Sequence, residues 1–179
     1  DLVQASGLPM MVYNSALAGL VSYEMLLRMG RIQGVEGIKY TSLSHFDLFR
    51  VKGELGQDFM VYSGADEVAA SGMVFGSDGL IGSTYNVLCD VFIRLYQAGK
   101  AGYGAGLAQA QKEANRVIFT ILQYDLTPTL KLALRWMGVD AGACRKPFTW
   151  YSEAQAEEMK KVFLALKPEL AGAKIDFLA

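Results

Sequence analysis

The run Leu8-Pro9-Met10-Met11-Val12-Tyr13-Asn14 decides the fold. It is apolar without alternation, follows Gly7 and closes at Tyr13-Asn14, which suits a strand buried on both faces, as in parallel sheets covered by helices. The same grammar repeats downstream. Ser22 precedes Tyr23-Glu24-Met25-Leu26-Leu27, a capped helical stretch closing at Gly30, and Val35 to Tyr40 forms a second short apolar strand with Lys39 at its end. Ser44 opens another helix through Val51. Phe59-Met60-Val61-Tyr62 reads as a third strand, after which Ser63-Gly64-Ala65-Asp66-Glu67 turns into a small-residue helix reaching Phe75. Ser77-Asp78-Gly79 leads into a fourth strand, Leu80-Ile81-Gly82-Ser83, and Tyr85 to Gln97 has helical apolar spacing. Strand-then-helix units in this order argue for an α/β fold with a parallel sheet and right-handed crossovers, either open or part of a closed barrel.

From Gly104 the pattern changes: Leu107 to Tyr124, Pro128 to Met137 and Ser152 to Leu166 read as helices, with Lys146-Pro147 breaking the chain between the last two. A (β/α)8 barrel commonly needs about 250 residues. Residues 1–99 are therefore expected to make half of such a barrel, and residues 100–179 a C-terminal helical extension packed on it. A half barrel leaves two strand edges and an inner face unsatisfied, so the chain should pair with a missing half or self-associate. The absence of an initiator Met and the opening on what reads as a helix tail before Gly7 look like a cut.

With 179 residues, 52% of them hydrophobic, the chain can bury a substantial core and shows no disordered bias. Seventeen basic against eighteen acidic residues, with no dense Lys/Arg cluster, argue against nucleic acid as a partner. No apolar run approaches the ~20 residues that span a bilayer, and the first seven residues lack a signal pattern, so no membrane association is expected. Cys89 and Cys144 lie far apart and follow no metal-ligand spacing; a reduced, cytoplasmic chain is the simplest account, with Cys89 packed inside. His45, the only histidine, has no partner at metal or triad spacing and reads as a surface residue. Gly102, Gly104 and Gly106 imitate a nucleotide loop, but Leu107 takes the place of the last glycine and no strand precedes them.

If the strands are parallel, Tyr13-Asn14, Lys39-Tyr40-Thr41-Ser42, Gly64-Ala65-Asp66-Glu67 and Gly82-Ser83-Thr84 share the C-terminal end of the sheet, where barrel enzymes hold their active sites. Desolvation of a lysine there disfavours the ammonium relative to its ordinary pKa of about 10.4, and a neutral amine attacks ketones. Taken alone, such a lysine more often snorkels to solvent. Tyr13 on the neighbouring strand could exchange protons with a carbinolamine, although a lone strand-end tyrosine more often packs. Asp66 and Glu67 could bind substrate hydroxyls or simply stabilise a helix N-terminus. For Gly82-Ser83, ligand donors and a capped turn are equally good accounts.

Taken in order, the stretches Gly7-Leu8-Pro9-Met10-Met11-Val12-Tyr13-Asn14, Gly37-Ile38-Lys39-Tyr40-Thr41-Ser42, Gly64-Ala65-Asp66-Glu67, Gly79-Leu80-Ile81-Gly82-Ser83-Thr84-Tyr85-Asn86 and Cys144-Arg145-Lys146-Pro147-Phe148 resemble the C-terminal part of the N-acetylneuraminate lyase and dihydrodipicolinate synthase superfamily. The sialic acid lyase branch is the more similar: Ser15-Ala16-Leu17-Ala18-Gly19 offers none of the arginine that the synthase places after its Tyr-Asn. The chain departs from the lyase pattern in that same stretch, being one residue shorter and lacking a Pro before Ala16-Leu17, and again at Ala65, where an aromatic is common.

The resemblance implies strands five to eight of a (β/α)8 TIM barrel. It implies Lys39 as the Schiff-base residue, Tyr13 as the proton shuttle and Thr41 as an ordering residue. Gly64, Asp66, Glu67, Gly82 and Ser83 would hold the sugar acid. The implied reaction is reversible aldol cleavage of N-acetylneuraminate to pyruvate and N-acetylmannosamine. The imine serves as electron sink, so neither metal nor organic cofactor is needed. Family members are usually tetramers, so a homo-oligomer is expected. The family's carboxylate-gripping loop and a second tyrosine belong to the other half, which implies little or no activity for this chain alone. Another pyruvate-dependent aldolase, acting on 2-keto-3-deoxy sugar acids, would use Lys39 identically. A non-catalytic barrel fragment serving as an interaction module is the alternative of another class.

Overall fold

The structure is a computed structural model that describes residues 2–102, 104–170 and 173–178. The chain divides into two compact units, Asp1–Gly82 with Tyr96–Gly104, and Ser83–Leu95 with Ala105–Ala179.

The first unit is built on β1 (Met10–Asn14), β2 (Val35–Tyr40), β3 (Met60–Ser63) and β4 (Gly79–Leu80), joined in sequence order into a sheet whose neighbours are all parallel. A parallel connection needs a crossover, and helices supply it: α1 (Leu2–Ser6) precedes β1, while α2 (Tyr23–Gly30), α3 (His45–Leu55) and α4 (Ala69–Val74) return the chain between strands. The start of α2 is set by Ser22, whose hydroxyl accepts from the Met25 N–H at 3.3 Å, and Glu24 and Arg28 complement the helix dipole at its two ends. α3 ends at Gly56, where φ of +95° is left-handed backbone that a side chain disfavours.

Strand pleating sends successive side chains to opposite faces. Val12, Ile38, Tyr40 and Val61 fall on one face, where they pack with Leu26 of α2 and with Leu48 and Val51 of α3 to form the core. The opposite face carries residues in register: Met11, Gly37 and Met60 in one row, and Tyr13, Lys39, Tyr62 and Gly79 in the next. Met11 is 45% and Tyr13 55% exposed. The expectation of a first strand buried on both faces is thus corrected: β1 is an edge strand, with Val12 packed against the helix-covered core and Met11 and Tyr13 exposed on the other face.

At the opposite end of the strands, Lys52 of α3 forms a polar hub. Its Nζ donates to the carbonyls of Gln57 (2.7 Å) and Phe59 (2.9 Å) and to both carboxylate oxygens of Asp78 (3.0 and 2.8 Å), while the Val61 N–H donates to Asp78 Oδ2 at 2.7 Å. Burying a charge is tolerable here because every strong donor is satisfied. Two segments outside the strands are tied by it to β3.

The second unit contains most of α5 (Cys89–Lys100), which crosses the boundary between units, and α6 (Ala105–Ile121), α7 (Leu126–Trp136) and α8 (Glu153–Leu164). α8 begins with a capping box in which Ser152 and Gln155 satisfy each other's backbone N–H groups. Leu132, Ala156 and Met159 form a core with Trp136, Trp150 and Tyr151 around it, and Phe163 packs edge-on against Phe177 at 5.6 Å between ring centres. No helix of the described residues is long and apolar enough to cross a membrane.

Two single-residue expectations are overturned. His45 is buried rather than surface-lying, 4% exposed: its Nδ1 and the Ser71 hydroxyl share a hydrogen bond at 2.8 Å, and Phe75 packs nearby. Cys89 is exposed rather than packed: it is the first residue of α5, and the buried face of that helix is made by Val91, Phe92 and Leu95. The strand boundaries also shift. β3 runs one residue later than its apolar run suggests, and β4 is only Gly79–Leu80, so the segment from Ile81 to Ser83 lies past the strand.

Candidate functional site

Tyr13, Lys39 and Tyr62 are each the penultimate residue of their strands, and parallel pairing aligns them side by side on one face. Lys39 is half-buried, with Nζ 4.5 Å from the centre of the Tyr13 ring, within the range of a cation–π contact. The alignment is fixed from behind. Asn14, the last residue of β1, accepts at its carbonyl from both the N–H of Thr41, at 3.1 Å, and the Thr41 hydroxyl. Its side-chain Oδ1 accepts from the Val21 N–H at 3.1 Å and so restrains the loop after the strand. Thr41 thereby straps the end of β2 to the end of β1.

Gly64 lies against the lysine. A Cβ at this position would sit 2.5 Å from Thr41 Cγ2, 2.9 Å from Lys39 Cε and 3.1 Å from Lys39 Cγ. Its N–H is held by the Tyr40 carbonyl at 2.8 Å, so the backbone cannot retreat without breaking the sheet edge. Gly82 plays a matching part toward Asp66: a Cβ there would fall on the carboxylate itself. Asp66 is 7% exposed, in the short turn Asp66–Val68 after β3, with half-buried Glu67 beside it in the chain. Gly79 makes room for the Tyr62 ring, whose edge atoms lie 2.9 and 3.0 Å from where its Cβ would be.

The Tyr13 phenol is held below its ordinary titration range. The largest cause is the neighbouring Ser15 hydroxyl, opposed by partial desolvation; the charge and hydrogen-bonding capacity of the Lys39 amine add to the lowering, and the charge of Asp66 opposes it. Tyr13, Lys39, Thr41, Gly64, Asp66 and Gly82 are thus joined by direct contacts or by charge within the first unit. Ser83 belongs to the second unit, where it is exposed, precedes the turn Thr84–Asn86 and accepts at its carbonyl from Asn86 Nδ2 at 2.8 Å; its hydroxyl makes no cap bond. Among the described residues there is no cluster of His, Cys, Asp or Glu that could hold a metal ion.

Ser15 and Tyr62 are absent from the residues picked out of the sequence. Tyr62 was hidden by the one-residue error in β3, since its relation to Lys39 becomes visible only when both are penultimate. The signal for Ser15 was its place directly after Tyr13-Asn14, where a hydroxyl can reach back to the strand end. An amine beside a phenol at the end of parallel strands can form an imine with a keto compound and move a proton next to it.

Residues 1–166 match the dihydrodipicolinate synthetase family. The chain is 33% identical over 173 residues to the N-acetylneuraminate lyase of Rhizobium meliloti (strain 1021), covering 96% of this chain and 56% of that protein. It is 34% identical over 170 residues to the N-acetylneuraminate lyase of Enterobacter sp. (strain 638), covering 93% of this chain and 57% of that protein. Its fold is similar to the crystal structure of the Fusobacterium nucleatum N-acetylneuraminate lyase complexed with pyruvate, at a TM-score of 0.79 and 30% identity, over 95% of this chain and 57% of that one. The chain therefore spans a little over half the length of these relatives.

Proposed function

Because the chain belongs to the dihydrodipicolinate synthetase family, we propose that it is the Schiff-base half of a pyruvate-dependent aldolase that cleaves N-acetylneuraminate reversibly to pyruvate and N-acetylmannosamine. The observation that carries this reading is the Lys39 amine at 4.5 Å from the Tyr13 ring, on paired residues of adjacent parallel strands. Lys39 attacks the keto carbon of open-chain N-acetylneuraminate, water leaves, and the protonated imine takes up the electron pair as the carbon–carbon bond breaks, releasing N-acetylmannosamine and leaving a pyruvate enamine that is protonated and then hydrolysed to pyruvate and the free amine. Tyr13 takes the proton from the sugar hydroxyl next to that bond and returns it to the pyruvyl carbon. Asp66 and Glu67 receive the polyhydroxyl tail, and Gly82 leaves space for the Asp66 carboxylate.

In this reading β1–β4 are strands five to eight of a closed eight-stranded barrel, and the additional length of the relatives corresponds to the other strands. Closure would cover the exposed Met11 and Tyr13 face and pair both sheet edges. The relatives' names favour an acylated amino sugar over a shorter 2-keto-3-deoxy acid, and comparing cleavage of the two substrates tests that preference.

The test of the amine is reductive trapping. Incubation with pyruvate and borohydride, followed by peptide mass mapping, should place one reduced pyruvyl adduct on Lys39 in preference to the surface lysines, and none on Lys39→Met. Modification spread evenly over all lysines would sink the Schiff-base reading. Efficient turnover of N-acetylneuraminate by the 179-residue chain alone would instead overturn the idea that the site is incomplete.

A further inference from the structure

Along the surface of the sheet, the Lys39 side chain is hemmed in on every side but one. It stands between Tyr13 of β1 and Tyr62 of β3, its partners in register, and Gly79 of β4 comes next in the same row. Two residues back along β2 lies Gly37, with two methionines against it: a Cβ there would be 3.2 Å from Met11 Cε and 3.0 Å from Met60 Cβ. Toward the strand ends, Gly64 meets the lysine stem, a Cβ at residue 64 falling 2.9 Å from Lys39 Cε. On the β4 side the Tyr62 ring is laid over Gly79, its Cε1 and Cδ1 only 2.9 and 3.0 Å from the place of a Cβ. The amine takes the remaining direction, toward β1, and ends 4.5 Å from the centre of the Tyr13 ring.

We propose that Tyr62 is a positioning residue for Lys39: its ring, seated on Gly79, closes the β4 side of the row and turns the amine toward Tyr13. Adjacent parallel strands lie about 4.8 Å apart, so paired residues on one face compete for the same space. Gly79 brings no side chain of its own, and without the ring the row would offer the lysine stem a trough on the side away from Tyr13. That stem is flexible, and each further direction open to it lowers the fraction of amines held beside the phenol. The ring carries the effect rather than its hydroxyl, because it is a ring edge that meets Gly79. Tyr62 acts through Lys39, not on the substrate. The catalytic consequence, an amine oriented for attack, rests on the aldolase reading; the steering of the amine does not.

The experiment reads the lysine directly, by NMR of the ε-protons in the chain carrying 13C-lysine. Protons over the Tyr13 ring are displaced upfield by its ring current, and the Lys39 signal is the one lost in Lys39→Met. Tyr62→Val removes the ring while keeping a strand-forming residue, and should return the signal to the position of the exposed lysines; Tyr62→Phe should leave it where it is. Gly79→Ala lifts the ring from its seat and should also move the signal, and it decides alone if the valine form does not fold. Pyruvate trapping at Lys39 is run on the same samples: at saturating pyruvate the rate should fall about tenfold in Tyr62→Val and hold in Tyr62→Phe. A Lys39 signal unmoved by both Tyr62→Val and Gly79→Ala, or Tyr62→Phe behaving like Tyr62→Val, overturns the proposal. Absence of trapping in the wild type, with the signal responding as expected, removes the aldolase reading and supports the steering. Efficient trapping with the signal unmoved by both variants removes Tyr62 alone.

Discussion

Gly64 is pressed against the stem of Lys39, so that a single methyl at residue 64 would come within 2.9 Å of Lys39 Cε. The lysine therefore owes its place beside Tyr13 to the lack of a side chain on the next strand's end. Gly64→Ala is expected to displace the amine while leaving the helix-covered core intact. Trapping of pyruvate at Lys39 should slow by roughly ten- to a hundredfold, as misplacements of about an ångström do in oriented reactions, with little change in the thermal unfolding midpoint. Unchanged trapping would show that the lysine relaxes freely around the added methyl.

Lys52→Met should be among the most destabilising substitutions of a polar residue in the first unit. It leaves the Asp78 carboxylate without its cation and frees the carbonyls of Gln57 and Phe59. Breaking a buried pair from one side costs about 3 kcal/mol or more. By contrast, Arg116→Ala removes an ion pair to Glu169 between largely exposed side chains and should leave the urea midpoint almost unmoved. A comparison of the two urea curves decides whether burial, rather than the number of ion pairs, sets the contribution.

His45 makes stability depend on pH in a definite direction. Burial holds the folded imidazole below its ordinary value of about 6.5, because the charged form is penalised inside. Above that value both folded and unfolded forms are neutral and this residue contributes no slope. As pH falls below it, the unfolded chain takes up the proton first, so stability declines until the folded imidazole also titrates. His45→Gln should flatten this part of the profile. An equal slope in both proteins between about pH 5 and 7 would assign the dependence to other groups.

The two thiols should differ in access. Cys89 is exposed at the first residue of α5, whereas Cys144 is half-buried. A thiol reagent added to the native chain is expected to label Cys89 first, read by peptide mass mapping, and the difference should vanish in urea. Faster labelling of Cys144 would contradict the placement of the helix start.

The strand-helix order was legible because each strand is an apolar run between turn residues and each helix has a cap; Val35–Tyr40 and the start of α2 at Ser22 came out as read. Lys39 and Tyr13 stood out by chemistry and strand-end position, Thr41 only through the family resemblance, and the three share one end of the sheet. What could not be read was register. The alignment of Tyr62 with Lys39 depends on hydrogen-bond pairing between segments that are distant in the chain, and a one-residue shift of β3 moves it to the other face. The burial of His45 was hidden for a similar reason: its partner Ser71 lies on α4, and no local pattern links the two. Nor does composition reveal that Gly64 and Gly82 are close-approach positions, since a glycine that ends a strand looks the same as one that merely turns the chain.

The sheet of the first unit sorts its side chains by parity: Val12, Ile38, Tyr40 and Val61 face the helices, while Tyr13, Lys39 and Tyr62 face the other way. Neighbours along a strand therefore answer to different pressures, one to cohesion and the next to chemistry. On β1 the exposed Met11 can change without disturbing the helix-covered core, whereas on β2 the sorting is incomplete: Val35 packs against that core, and a Cβ at Gly37 would meet the Met60 carbonyl at 2.6 Å. Damage to an even-numbered position cannot be repaired from the reactive side.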